Sequence, residues 1–114
     1  MANIYKNAKL DLTTNNVTTL YTVPSNSRAI VKAVLVSSDN GSATTLTLDL
    51  FAGDPASAAK FTIFNVEAIG ANESKQLLTE PLIMMENEIL KVQAADANEL
   101  HVVSSILEIN REDV

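Results

Sequence analysis

Residues that turn a chain recur every ten or so positions along this sequence, and that spacing restricts the fold more than any other feature. The groups are Thr14-Asn15-Asn16, Pro24-Ser25-Asn26-Ser27, Asp39-Asn40-Gly41-Ser42, Gly53-Asp54-Pro55, Gly70-Ala71-Asn72, Glu86-Asn87 and Asp96-Ala97-Asn98. This is the spacing of an all-β sandwich or barrel. Between the turns, "TTLTLDLF" sets Thr44, Leu46, Leu48 and Leu50 against Thr45, Thr47, Asp49 and Phe51. A period of two with one apolar set is a strand with one buried face.

The preceding "AIVKAVLVS" places Val31, Ala33 and Leu35 on one side and Ile30, Val34 and Val36 on the other. Apolar on both sides, it is expected at the centre of a sheet and covered twice. Asn40-Gly41 suits the positive φ angles of a tight turn, so these two strands are expected to form a hairpin. Further strands are read over 60–66, 75–79, 82–85, 88–94 and 99–109. In the fourth of these, Leu90, Val92 and Ala94 face in and Ile89, Lys91 and Gln93 face out. The last changes phase around Ser104-Ser105, which predicts a bulge or a bend there. Only "DPASAAK" (54–60) has helical character, one turn at most, with the alternative of a loop.

These readings predict one domain over residues 1–114, an antiparallel β-sandwich of about eight strands, Ig-like or jelly-roll-like. A chain of 114 residues is long enough to bury roughly two-thirds of its unfolded surface. A short N-terminal arm over about residues 1–10 and a charged C-terminal tail over 110–114 are expected to flank it.

Chemistry finds little to stand on. The formal charge of −6 arises from 14 acidic and 8 basic residues, and the basic ones are scattered. Nucleic acid and anionic membranes demand a concentrated positive field, so neither is an expected partner. The apolar core of a signal peptide is lacking in "MANIYKNAKLDL", and no apolar stretch approaches the ~20 residues needed to span a bilayer. Synthesis in a cytoplasm and a soluble product are expected. With no cysteine there is no disulfide framework or thiol nucleophile.

The single histidine, His101, sits in a strand pattern with no second histidine, so it begins neither a transition-metal site nor a triad. Glu86 with Glu88, and Asp49 with Asp54, are the nearest carboxylate pairs; Glu86 and Glu88 flank a turn, where exposed charge is the ordinary outcome, and nothing in the sequence forces either into apolar surroundings. Asp39-Asn40-Gly41 and Asp96-Ala97-Asn98-Glu99 lack the alternating oxygen ligands of a calcium loop and read as turns. The three glycines are isolated, which leaves no phosphate cradle. There is no tryptophan, and the few aromatics are needed for the core rather than for sugar stacking. No catalytic residue, metal or cofactor is assigned, and an enzyme is not expected.

What remains is surface for contact. Ile30, Val34 and Val36, together with the "PLIMME" segment holding Leu82, Ile83, Met84 and Met85, are more apolar than a free monomer needs. Either loops and termini cover them, or they form an interface in which the methionines act as adaptable filler. Ile4 and Tyr5 in the N-terminal arm are the remaining candidates for contact.

At "LYTVPSNSRAIVKAVLVSSDNGSATTLTLDL" (20–50) the sequence resembles a pattern recurrent among small virion proteins of tailed bacteriophages. In that pattern Leu20, Tyr21, Val23 and Pro24 close one strand, and Ala29, Ile30 and Val31 open the next after a small polar turn. The preceding "LDLTTNNVTT" looks like the usual lead-in, and "ENEILKVQAADANELHVVSSILEI" looks like the closing hairpin. The resemblance implies a β-sandwich with a structural role in the virion. A capsid decoration or cement protein on the outer capsid surface fits best, oligomeric and bound to the major capsid protein or other virion proteins. It implies as alternatives a neck, tail or fibre-adaptor protein; a module binding glycans or calcium through its loops stands further off.

Overall fold

Nine strands make up most of a computed structural model that describes residues 2–38, 41–52 and 60–110. They are β1 (Ala2–Leu12), β2 (Thr18–Thr22), β3 (Ser27–Ser38), β4 (Thr44–Phe51), β5 (Lys60–Ile69), β6 (Ser74–Gln76), β7 (Leu82–Met84), β8 (Ile89–Ala94) and β9 (Leu100–Asn110). One sheet has the order β1-β9-β3, with β6 and β7 end to end along the far side of β3; the other has the order β2-β8-β4-β5. Every pairing is antiparallel.

With β6 and β7 taken as one interrupted strand, the sandwich has eight strands, and most connections cross from one sheet to the other. That is the two-sheet jelly roll. An immunoglobulin sandwich pairs its first two strands in one sheet, whereas β1 and β2 lie in different sheets here, so the jelly-roll alternative is the one realised. The crossings correct two expectations. β3 and β4 are not a hairpin, nor are β8 and β9; each pair is split between the sheets. The physical reason lies in the side chains: Val34 and Val36 on β3 and Leu46 and Leu48 on β4 are all fully buried, which an arch between two facing layers achieves.

The expected N-terminal arm is a strand. β1 pairs residue for residue with β9, from Ala2 opposite Asn110 to Leu12 opposite Leu100. The expected helical turn and the Gly53-Asp54-Pro55 turn fall almost wholly on 53–59, most of the tail on 111–114, and part of the Asp39-Asn40-Gly41-Ser42 turn on Asp39 and Asn40; these lie outside the described residues.

β3 also differs from its reading. Ala29 and Val31 point inward, the register against β9 slips between Val31 and Ala33, and from there Val34, Val36 and Ser38 point inward. A bulge at Lys32 therefore moves the buried set from odd to even positions. The strand looks apolar on both faces because it changes face, not because it is covered twice. β9 itself keeps one phase, with Leu100, Val102, Ser104, Ile106 and Glu108 all buried. The Ser104 hydroxyl donates to the Ala33 carbonyl at 3.0 Å, so the serines mark the irregularity of the neighbouring strand. The break between β6 and β7 faces the same bulge: Gln76 Oε1 accepts from the Val34 amide at 2.8 Å, and the Leu77 amide donates to the Val34 carbonyl at 2.9 Å.

Asn72, Asn87 and Asn98, each in an expected turn, hold φ angles of 55°, 67° and 62°, which asparagine tolerates well. On β8, Leu90, Val92 and Ala94 are buried as expected, while Ile89 is buried as well.

Candidate interface on the outer face of one sheet

Cross-strand partners share a sheet face, and one row of partners runs through four strands. Tyr5 on β1 lies opposite Leu107 on β9, Leu107 opposite Ile30 on β3, and Ile30 opposite Ile83 on β7. All four point away from the core. Tyr5 is 74% and Ile83 64% exposed, while Ile30 and Leu107 are half-buried between them. Four residues along β1, Lys9 lies opposite Val103 and Val103 opposite Leu35, the latter two both exposed. The sheet thus carries an apolar stripe across four strands on its exposed face, with a smaller apolar pair beyond the polar Asn7–Ser105 step, and such patches mark contact surfaces.

The rim of the stripe is basic. Arg28, Lys32 and Lys9 are exposed around it, and the Lys32 ammonium lies 5.9 Å from the centre of the Tyr5 ring, within cation–π reach. The acid Asp11 on this face is 3.2 Å from His101 Nε2, its partner across the strands. In a chain of net charge −6, the local excess is positive.

The nine sequence candidates divide cleanly. Tyr5, Ile30 and Ile83 are brought into one row. Val34, Val36 and Met84 are fully buried in the core and present no side-chain surface; the bulge at Lys32 turned the two valines inward. Leu82 is half-buried on the inward side of its strand and packs against the core. Ile4, on the inner side of β1 opposite Glu108, and Met85, just after β7, are exposed but outside the row. Leu107 was not singled out, although its place among alternating residues of β9 puts it opposite the buried Ile106 and Glu108.

Beneath the stripe, a polar tie joins the two sheets. The Tyr21 hydroxyl on β2 donates to Glu108 Oε2 on β9, and Lys6 Nζ on β1 donates to the same oxygen at 3.0 Å. Glu108 is 5% exposed, so its charge is held by these two donors. Burial foremost, then the hydrogen bond to Glu108 and its negative charge, push the Tyr21 phenol well above its ordinary pKa.

The other sheet offers less. Asp49 is buried on its outer side opposite Lys91, and Lys91 Nζ sits 4.6 Å from the Phe51 ring centre. Phe61 and Val66 are exposed on β5, but at separate points of an irregular strand. Two further acidic candidates tie the backbone and loops together: Glu88 Oε1 accepts from the Met85 amide at 2.6 Å and Asp96 Oδ2 accepts from the Thr44 hydroxyl at the start of β4 at 2.7 Å. Among the described residues, no three histidine, aspartate or glutamate side chains gather as a metal site, and no helix is long and apolar enough to cross a membrane.

No protein-family model matches the sequence, and no curated protein matches it. Solved structures do match the fold. One is from the acidic stable capsid of Helicobacter pylori bacteriophage KHP30, with a TM-score of 0.58 and 14% identity over 96% of this chain and 89% of that one. Another is from the Gx strain of infectious bursal disease virus, with a TM-score of 0.54 and 10% identity over 97% of this chain but 34% of that one, so this chain spans about a third of it. A family 22 carbohydrate-binding module of Clostridium thermocellum Xyn10B aligns more loosely, at a TM-score of 0.43 and 18% identity over 86% of this chain and 65% of that one. The architecture is of the type found in viral capsids.

Proposed function

We propose that this chain is a structural component of a virion, a decoration or cement protein that seats the outer face of the β1-β9-β3-β7 sheet on the major capsid protein. The observation that carries the reading is the apolar row Tyr5, Leu107, Ile30 and Ile83 with its basic rim, an exposed face on a domain whose described residues gather no metal-ligating cluster. Support comes from the capsid-type fold and from the KHP30 chain, which this one covers over 89% of its length, so the likeness extends to chain size.

The physics suits that place. A ligand that binds only the assembled shell shifts the equilibrium towards assembly, and repeated copies on a symmetric lattice add weak contacts into firm attachment. The basic rim favours a lattice surface rich in carboxylates, while the net charge of −6 favours the outside of a shell filled with nucleic acid over the inside.

Ile83→Asp puts a charge at an exposed end of the row without disturbing the core. Co-sedimentation with particles purified from the parent virus is expected to lose this variant by at least about tenfold, the worth of one buried isoleucine contact at ~1.5 kcal/mol or more. Phe61→Asp, on the opposite sheet, is expected to sediment as the unmodified protein does. Loss of binding by Phe61→Asp with retention by Ile83→Asp overturns the assignment of the face.

A further inference from the structure

Four rims bound the two sheets, and three of them are blunted. β2 is five residues long and slips register between Thr19 and Tyr21. β5 slips twice against β4 and carries Val66 at a φ of 52°. The rim along β3 is broken into two strands of three residues each. β1 is different: eleven residues in unbroken register with β9, with no proline or glycine. Long regular edges are templates for another strand, and proteins that stay monomeric blunt them. Among the described residues β1 pairs with β9 alone.

The sequence of β1 says which strand fits. Antiparallel pairing that keeps the inner and outer faces of both sandwiches continuous must match even positions with even and odd with odd. When two copies of Ala2–Leu12 overlap along their whole length, Asn7 lies opposite Asn7 of the second copy. Ile4 then meets Leu10 on the inner side, Lys6 meets Ala8, and Tyr5 meets Lys9 on the outer side, an aromatic ring against a cation. Sliding one pair towards the N-terminus sets Lys6 against Lys6, and sliding one pair the other way sets Lys6 against Leu10. All three registers are two-fold symmetric, and full overlap is the one that pairs all eleven residues without opposing two lysines.

We propose that β1 is a self-pairing edge that joins two copies of this chain about a two-fold axis at Asn7, making one sheet continuous through both. A further consequence follows on the outer face. The row ending at Tyr5 continues through Lys9 of the second copy into that copy's Val103 and Leu35, so pairing fuses two short apolar rows into one stripe across the dimer. The pairing belongs to the isolated chain and stands independently of the virion reading.

The chain has no cysteine, so a single introduced thiol reports without interference. Opposed Cα atoms of an antiparallel pair are about 4.5–5.5 Å apart, within disulfide range. Asn7→Cys, at an exposed position, is expected to convert to a disulfide-linked dimer under mild oxidation. Asn3→Cys lies about 27 Å from its counterpart in this register and is expected to stay unlinked. Sedimentation of the unmodified protein is expected to give a dimer, and circular dichroism checks that both variants keep the fold. A monomer in sedimentation, or an oligomer whose Asn7→Cys form crosslinks no better than Asn3→Cys, overturns the proposal.

Discussion

Removing one oxygen, by Tyr21→Phe, cuts the tie between the two sheets beneath the apolar stripe. The Tyr21 hydroxyl donates to Glu108, a carboxylate 5% exposed, and a hydrogen bond to a charged group contributes about 1.5–3 kcal/mol. The variant leaves Glu108 with Lys6 alone, whose side chain is 43% exposed and screened by water, an ion pair of under ~1 kcal/mol. Tyr21→Phe is therefore expected to cost about 2 kcal/mol, or a fall of ~8 °C in Tm for a domain of this size. Lys6→Met is expected to cost about 0.5 kcal/mol. Urea unfolding at neutral pH measures both.

The pH dependence gives a second readout on the same variant. Because burial and Glu108 raise the phenol's pKa, the folded protein holds that proton more tightly than the unfolded chain does. This contribution is fully present below about pH 10, the ordinary tyrosine value, and is lost as pH rises above it. In Tyr21→Phe that part of the alkaline loss should vanish. A Tyr21→Phe variant within ~0.5 kcal/mol of the parent, or one less damaging than Lys6→Met, would refute the tie.

The bulge on β3 predicts opposite outcomes at neighbouring positions: Val34→Asp buries an unpaired charge and should prevent folding, whereas Leu35→Asp should stay within about 1 kcal/mol of the parent in urea unfolding. Val66 is a β-branched residue at a φ of 52° and is exposed. Val66→Asn should relieve about 1 kcal/mol of backbone strain and raise Tm by a few degrees in calorimetry. Gln76→Ala strips the Val34 amide of its acceptor and should lower stability by about 1–3 kcal/mol, measured in the same way.

The sequence announces strands well and their partners badly. "TTLTLDLF" states its own geometry, because Leu46 and Leu48 alternate with polar residues and are buried. Asn72, Asn87 and Asn98 mark turns through their own backbone preference. Asn40-Gly41, by contrast, describes a turn without saying whether the flanking strands pair edge to edge or face each other across a core. The bulge at Lys32 has no local signature: "AIVKAVLVS" is equally consistent with a strand covered on both faces. Hence Val34 and Val36 read as surface and are core. One signal was available. In β9 an acid, Glu108, occupies the inward phase set by Leu100, Val102 and Ile106, and a buried carboxylate in a strand demands donors from elsewhere. Tyr21 and Lys6 supply them, from strands 87 and 102 residues away in sequence.

Copy number is the most direct test of a role on the lattice, by quantitative mass spectrometry of purified virions calibrated against the major capsid protein. A protein that decorates the shell should be present at on the order of hundreds of copies per particle, in fixed ratio to the capsid subunits. A count of about a dozen would move it to the neck, tail or a fibre, where cyclic symmetry limits the number; absence from the particle would contradict the virion account altogether.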